Sequence, residues 1–121
     1  MYQSVLIEQL LKEWIEWSID PKGGSPGHSE FIWIIENEPE KGWVAILAAT
    51  KDEKLHPHLG VMAAGPLEDL IALHGEDFID RIEVEAKVNP KFAWMLGGVW
   101  QSNIDENLWA RVQQVCDNSG W

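Results

Sequence analysis

Cysteine is almost missing from this chain: Cys116 is the one thiol in 121 residues. No internal disulfide can form, no thiolate cluster is available to close a zinc site, and a reducing compartment is the expected setting. Positive charge is scarce too. Nine Lys and Arg stand against 20 Asp and Glu, giving a net charge of −11 and a pI near 4.6. Such a field repels nucleic acid and anionic membrane and attracts basic partners. No apolar run approaches the length of a membrane span. The opening MYQSVLIEQL has neither the basic start nor the small-residue cleavage site of a secretory signal, so the expected compartment is the cytoplasm. Gly23-Gly24 lacks the lysine and following helix pattern that a phosphate loop needs. The few basic residues are scattered among acids, which argues against a nucleic-acid groove, and nothing implies a cofactor.

What is present is apolar and rich in indole. Hydrophobic residues make up 45% of the chain, enough for a single domain over residues 1–121 with a core of its own. Leu6, Leu10, Trp14 and Trp17 recur at three- and four-residue steps, widened by Ile7 and Leu11, and predict an amphipathic helix over residues 3–19. Ser4 is its expected cap, and Asp20-Pro21 with Gly23-Gly24 its end. Residues 20–29, DPKGGSPGHS, read as a loop. Farther on, Gly65-Pro66 leads into Leu67, Leu70, Ile71 and Leu73, with Gly75 placed as a C-terminal cap. Phe78, Ile79, Ile82 and Ala86 mark a helix over residues 76–89, with Asp77–Arg81 and Glu83–Lys87 as expected pairs. Asn89-Pro90 breaks it, residues 91–100 begin another, and Asp105 is the expected N-cap of a last helix with Leu108, Trp109, Val112, Val115 and Cys116 inward.

Residues 31–49 are ambiguous by pattern. FIWII and WVAIL around ENEPEKG fit a hairpin of buried strands, whereas Pro39-Glu40 fits a first helical turn. A resemblance weighs here. AAGPLEDLIALHG, FIDRIEVEAKVNPKF and LGGVW, in that order, resemble the signature of a family of small bacterial proteins of unknown function. The resemblance covers about residues 38–100, extends weakly over EPEKGWVAIL, and implies helix there. It implies no activity. The fold expected is all-α, a compact bundle or short superhelical stack of antiparallel helix pairs.

Three clusters carry possible chemistry. Glu68, Asp69 and His74 would make an acid/base or metal set for a small metal-dependent hydrolase. Yet six and five residues separate the acids from His74, and neither spacing puts a pair on one helix face. Helix punctuation explains them better: proline at the first helical position, acids in the first turn, imidazole near the end. His56-Pro57-His58 has a spacing that metals use, but no further ligands accompany it, and His28 has less support still. Cys116 lies on an apolar face and reads as a small buried hydrophobe. No catalytic or metal residue is therefore assigned, and the protein is not expected to be an enzyme.

Eight tryptophans are the most unusual feature. Trp14, Trp94 and Trp109 fall on apolar helix faces and are expected in the core. Trp17, Trp33, Trp43 and Trp100 are undecided, Trp121 ends the chain, and any indole left at the surface would be an interface anchor. Glu76, Asp80 and Glu83 form an acidic stripe. Together these features point to a protein that binds a basic protein partner through Glu68, Asp69, Glu76, Asp80 and Glu83. The concrete form is an inhibitor or immunity-type protein masking the basic surface of a toxin or nuclease.

Overall fold

A computed structural model describes residues 6–119, and it is all-α. Helix α1 spans Ile7–Ile19, α2 Gly27–Asn37 and α3 Pro39–Lys51. A 3-10 turn at Glu53–His58 leads into the single turn α4, Leu59–Met62, and a π turn at Ala63–Leu67 joins it to α5, Glu68–Val88. Helices α6, Pro90–Gly97, and α7, Glu106–Val115, complete the chain. Successive elements pack as pairs: α1 on α2, α2 on α3, α5 on α6 and on α7. Leu10, Trp14, Phe31, Ile34, Ile46, Met62, Leu70, Phe78 and Phe92 meet in one core.

Residues 31–49 are helical and contain no hairpin. Glu38 alone separates α2 from α3, because Pro39 disfavours helical geometry in the residue before it while suiting the first turn after it. The loop after α1 is shorter than expected and ends at Pro26, so His28 and Ser29 belong to α2. There the Ser25 hydroxyl donates to the Glu13 carbonyl at 2.6 Å. A Cβ on Gly27 would overlap the Glu13 carbonyl and the Trp14 nitrogen, so only glycine lets α2 approach α1 this closely. The expected Ser4 cap and Trp121 lie outside the described residues; the described helix begins after Leu6, whose side chain makes no cap.

The Gly-Pro run is not the start of a helix. Helical backbone runs from Leu59 through it to Val88. Pro66 has no N–H for the carbonyl four residues earlier, and the ladder widens around it, with the Glu68 N–H reaching back to the Ala63 carbonyl. Gly75 is not a cap either. The helix kinks at His74 (φ −133°, ψ 15°) and continues. Gly75 is buried, and a Cβ there would come within 2.9 Å of Leu108 Cδ1, so its bareness lets α7 close on α5.

Asp105 caps α7, its carboxylate accepting from the Asn107 and Leu108 N–H groups at 3.0 and 3.4 Å. Asn89 caps α6 through the Phe92 N–H. Trp14 is fully buried, while Trp94 and Trp109 are half-buried against the core with Trp17 and Trp33. Trp43 also belongs inside, wedged against Phe78 and edge-on to Phe92, with ring centroids 5.7 and 5.5 Å apart. Among the described residues, no helix is long and apolar enough to cross a membrane.

Candidate functional site: the junction of α5 with the α6–α7 loop

Glu68 opens α5, and its carboxylate leaves the helix for a loop 32 positions along the chain. One oxygen accepts the Trp100 N–H at 3.0 Å and the other accepts the Ser102 hydroxyl at 3.2 Å. The loop is pegged on both sides of these bonds, since Val99 and Ile104 are buried. The Ile104 N–H closes a turn onto the Gln101 carbonyl at 2.7 Å. Ser102 sits in the left-handed region at φ 43°, a conformation costing about 1–2 kcal/mol for a residue with a Cβ. Held by pegs, turn and carboxylate, the segment leaves Trp100 75% exposed, the most exposed large hydrophobic side chain among the described residues.

Asp69 turns the other way, toward α2. Its half-buried carboxylate makes no hydrogen bond among the described residues and borders a narrow cleft walled by Trp14, His28, Phe31, Ile32, Ile35, Gly65 and Pro66. Burial raises its pKa above the usual aspartate value; Glu68 and Glu36 add to the rise and His28 opposes it. His28, across the cleft, stacks on Trp17 with centroids 4.1 Å apart and planes 14° from parallel.

His74 serves the fold. Its Nε2 donates to the Ile35 carbonyl at 2.8 Å, so that nitrogen carries the proton. In an unbroken helix the Ile35 carbonyl would accept from residue 39, but Pro39 has no N–H. The imidazole at the kink supplies the missing donor. Glu68, Asp69 and His74 thus go to a loop, a cleft and a helix end, and the structure does not bring them together. His56 lies within the 3-10 turn, its Nε2 3.2 Å from the Thr50 carbonyl, and His58 meets Trp14 edge-on; both are half-buried. Among the described residues, no group of three or more His, Cys, Asp or Glu is placed to hold a metal. Cys116 ends α7 half-buried, with its thiol pKa pushed up by burial.

The acidic stripe lies on α5, but α7 partly neutralises it. Arg111 binds Glu83 through two nitrogens, at 2.9 and 2.6 Å, and Asp80 at 2.9 Å. This pairing holds the Glu83 carboxyl below its usual range and raises the guanidinium. Glu76 remains exposed and makes no hydrogen bond or ion pair among the described residues. The expected pairs along α5 are replaced by contacts between helices. Arg81 forks onto Glu40 of α3 with both bonds at 2.7 Å, and Glu83 takes Arg111 instead of Lys87. In both pairs the planar guanidinium meets the carboxylate through two nitrogens.

The sequence reading missed Arg111 and Ser102, and it missed that Glu68 and Trp100 meet. The one signal for the last was their presence in two separately recognisable runs, GPLEDL and LGGVW. A family model matches residues 24–120, and the chain belongs to that family, a family of unknown function (DUF6869). No curated protein and no solved structure matches it.

Proposed function

We propose that this chain is a small protein-binding protein that docks a basic partner on the face where Glu68 holds Trp100. The observation that carries the reading is an indole 75% exposed on a loop held by buried Val99 and Ile104 and by the two bonds to Glu68. Free proteins gain nothing from fixing a tryptophan in water. A preorganised aromatic side chain, however, supplies large contact area at little entropic cost when a partner covers it. The net charge of −11 selects the partner's sign and speeds its approach.

In this reading GPLEDL and LGGVW are one device and form the family signature: the first run provides the carboxylate, the second the anchor. Glu76, exposed on α5, and Asp69, turned toward the α2 cleft, add to the acidic field of this helix, while Glu68 contributes by positioning. Asp80 and Glu83 keep a reduced field because Arg111 shares them. The concrete form is an inhibitor or immunity-type protein of the bacterial cytoplasm that covers the nucleic-acid-binding face of a toxin or nuclease. Such a face is built to receive polyanions, and a folded acidic surface competes for it.

The test is affinity capture with the wild-type protein and Trp100→Ala in parallel. A basic protein retained by the first and lost by the second is the expected result; equal retention by both would overturn the assignment of this face. A toxin or nuclease gene beside this one supports the immunity form, and a metabolic operon counts against it.

A further inference from the structure

The seam between α1 and α2 contains two carboxyl groups, and among the described residues no group of opposite charge acts on Glu30 there. Glu30, in the first turn of α2, is 3% exposed, and Glu13 meets it from α1. Oε1 of Glu13 and Oε2 of Glu30 are both buried, and neither has a hydrogen-bond partner while both groups are ionised. The seam cannot open to admit water without losing its tightest contacts, since Gly27 lies against the Glu13 backbone and Ser25 bonds to it. Two ionised carboxylates in such a place add like-charge repulsion to the cost of desolvation. One proton removes both problems, turning one group into a donor and the other into its acceptor. Burial first, then the hydrogen bond and charge of Glu13, push Glu30 from 4.5 up to about 7. Among the described residues Glu13 is the charged group acting on Glu30; α3, α5 and the π turn also pack on α2 and contribute none.

We propose that a single proton shared by Glu13 and Glu30 latches α1 onto α2, and that the latch loosens as pH rises through neutrality. The seam joins α1, which precedes the matched residues 24–120, to the first helix within them. Its release uncovers the apolar faces of Trp14 and Phe31, whose rings now meet edge-on at 6.3 Å. The direction follows from linkage. Below about 4.5 the folded and unfolded chains both hold the proton, and the stabilisation is complete. Between 4.5 and about 7 only the folded chain holds it, so the folding equilibrium falls by up to about tenfold per pH unit. Above that window no more is lost.

Carboxyl-carbon NMR on the wild-type protein reads the latch directly. Glu30 titrating near neutrality supports it, and Glu30 titrating at the ordinary glutamate value overturns it. Denaturant unfolding across pH 5–8.5 provides the second arm, with Glu30→Gln beside the wild type. The glutamine amide donates to a Glu13 oxygen without the shared proton, so the variant should lose the wild type's extra decline and be the more stable protein above neutrality. Its α1 amides should also exchange more slowly than those of the wild type there. An offset between the two proteins that is constant across pH would mean Glu30 is only a packed polar group, and would overturn the proposal.

Discussion

Removing the Glu68 carboxylate should free the Trp100 loop without unfolding the protein. Glu68→Ala deletes two acceptor contacts, one to a backbone N–H at 3.0 Å and one to a hydroxyl at 3.2 Å. Hydrogen bonds to a charged group contribute about 1.5–3 kcal/mol when buried, but both of these lie at the surface, where solvent competes for the same donors. The left-handed Ser102 returns part of its own strain when released. A net loss of about 1 kcal/mol is expected, lowering Tm by a few degrees in a domain of this size. The local effect should be larger than the global one. Amide exchange at Trp100 should speed up by about fivefold or more, and backbone order parameters over residues 100–103 should fall, while Phe78 and Phe92 in the core keep their protection. Glu68→Gln retains one neutral acceptor and should fall between. If Glu68→Ala leaves exchange and order in the loop unchanged, Val99, Ile104 and the turn suffice, and the carboxylate has no positioning role.

His74→Ala should orphan the Ile35 carbonyl and cost about 1–3 kcal/mol in denaturant unfolding; a neutral result would mean that water replaces the imidazole without loss. The two glycines at helix contacts should respond differently to alanine. Gly27→Ala drives a methyl into the backbone of α1 and should cost several kcal/mol, or detach α1 altogether, as read by the fluorescence of Trp14. Gly75→Ala meets only the end of the Leu108 side chain, which can rotate, and should cost about 1 kcal/mol; equal losses at the two positions would contradict the account of how α1 and α7 are seated.

Where a helix boundary is written in adjacent residues, it could be read. Asp105 and Asn89-Pro90 place α7 and α6 because a cap acts within three residues of itself. Gly65-Pro66 misleads because a proline at the first helical position and a proline inside a π turn look alike locally. The difference lies upstream, in whether residues 59–63 are already helical. Gly75 misleads for a related reason: a glycine that caps and a glycine that admits a neighbour have the same side chain, and the neighbour here is Leu108. Residues 31–49 came out helical through the family resemblance, since short apolar runs carry no decisive period. The site was legible in part. Glu68, Asp69 and Trp100 could be named, but the bond between Glu68 and the Trp100 backbone spans 32 positions and depends on the π turn and the α6–α7 loop together. Arg111 was out of reach for the same reason, as its partners lie 28 and 31 positions away.

The binding kinetics of the captured partner, with the wild type and Trp100→Ala compared across a salt series, test the central claim most directly. An acidic protein anchored by one fixed indole should associate quickly at low salt and more slowly as salt screens the approach, with a Debye length of about 8 Å at 0.15 M. Losing the anchor should act on departure. The account predicts that Trp100→Ala raises the dissociation rate by about thirtyfold, the equivalent of a 2 kcal/mol hot spot, and leaves the association rate and its salt dependence close to wild type. An unchanged dissociation rate, or an association rate indifferent to salt, would contradict it.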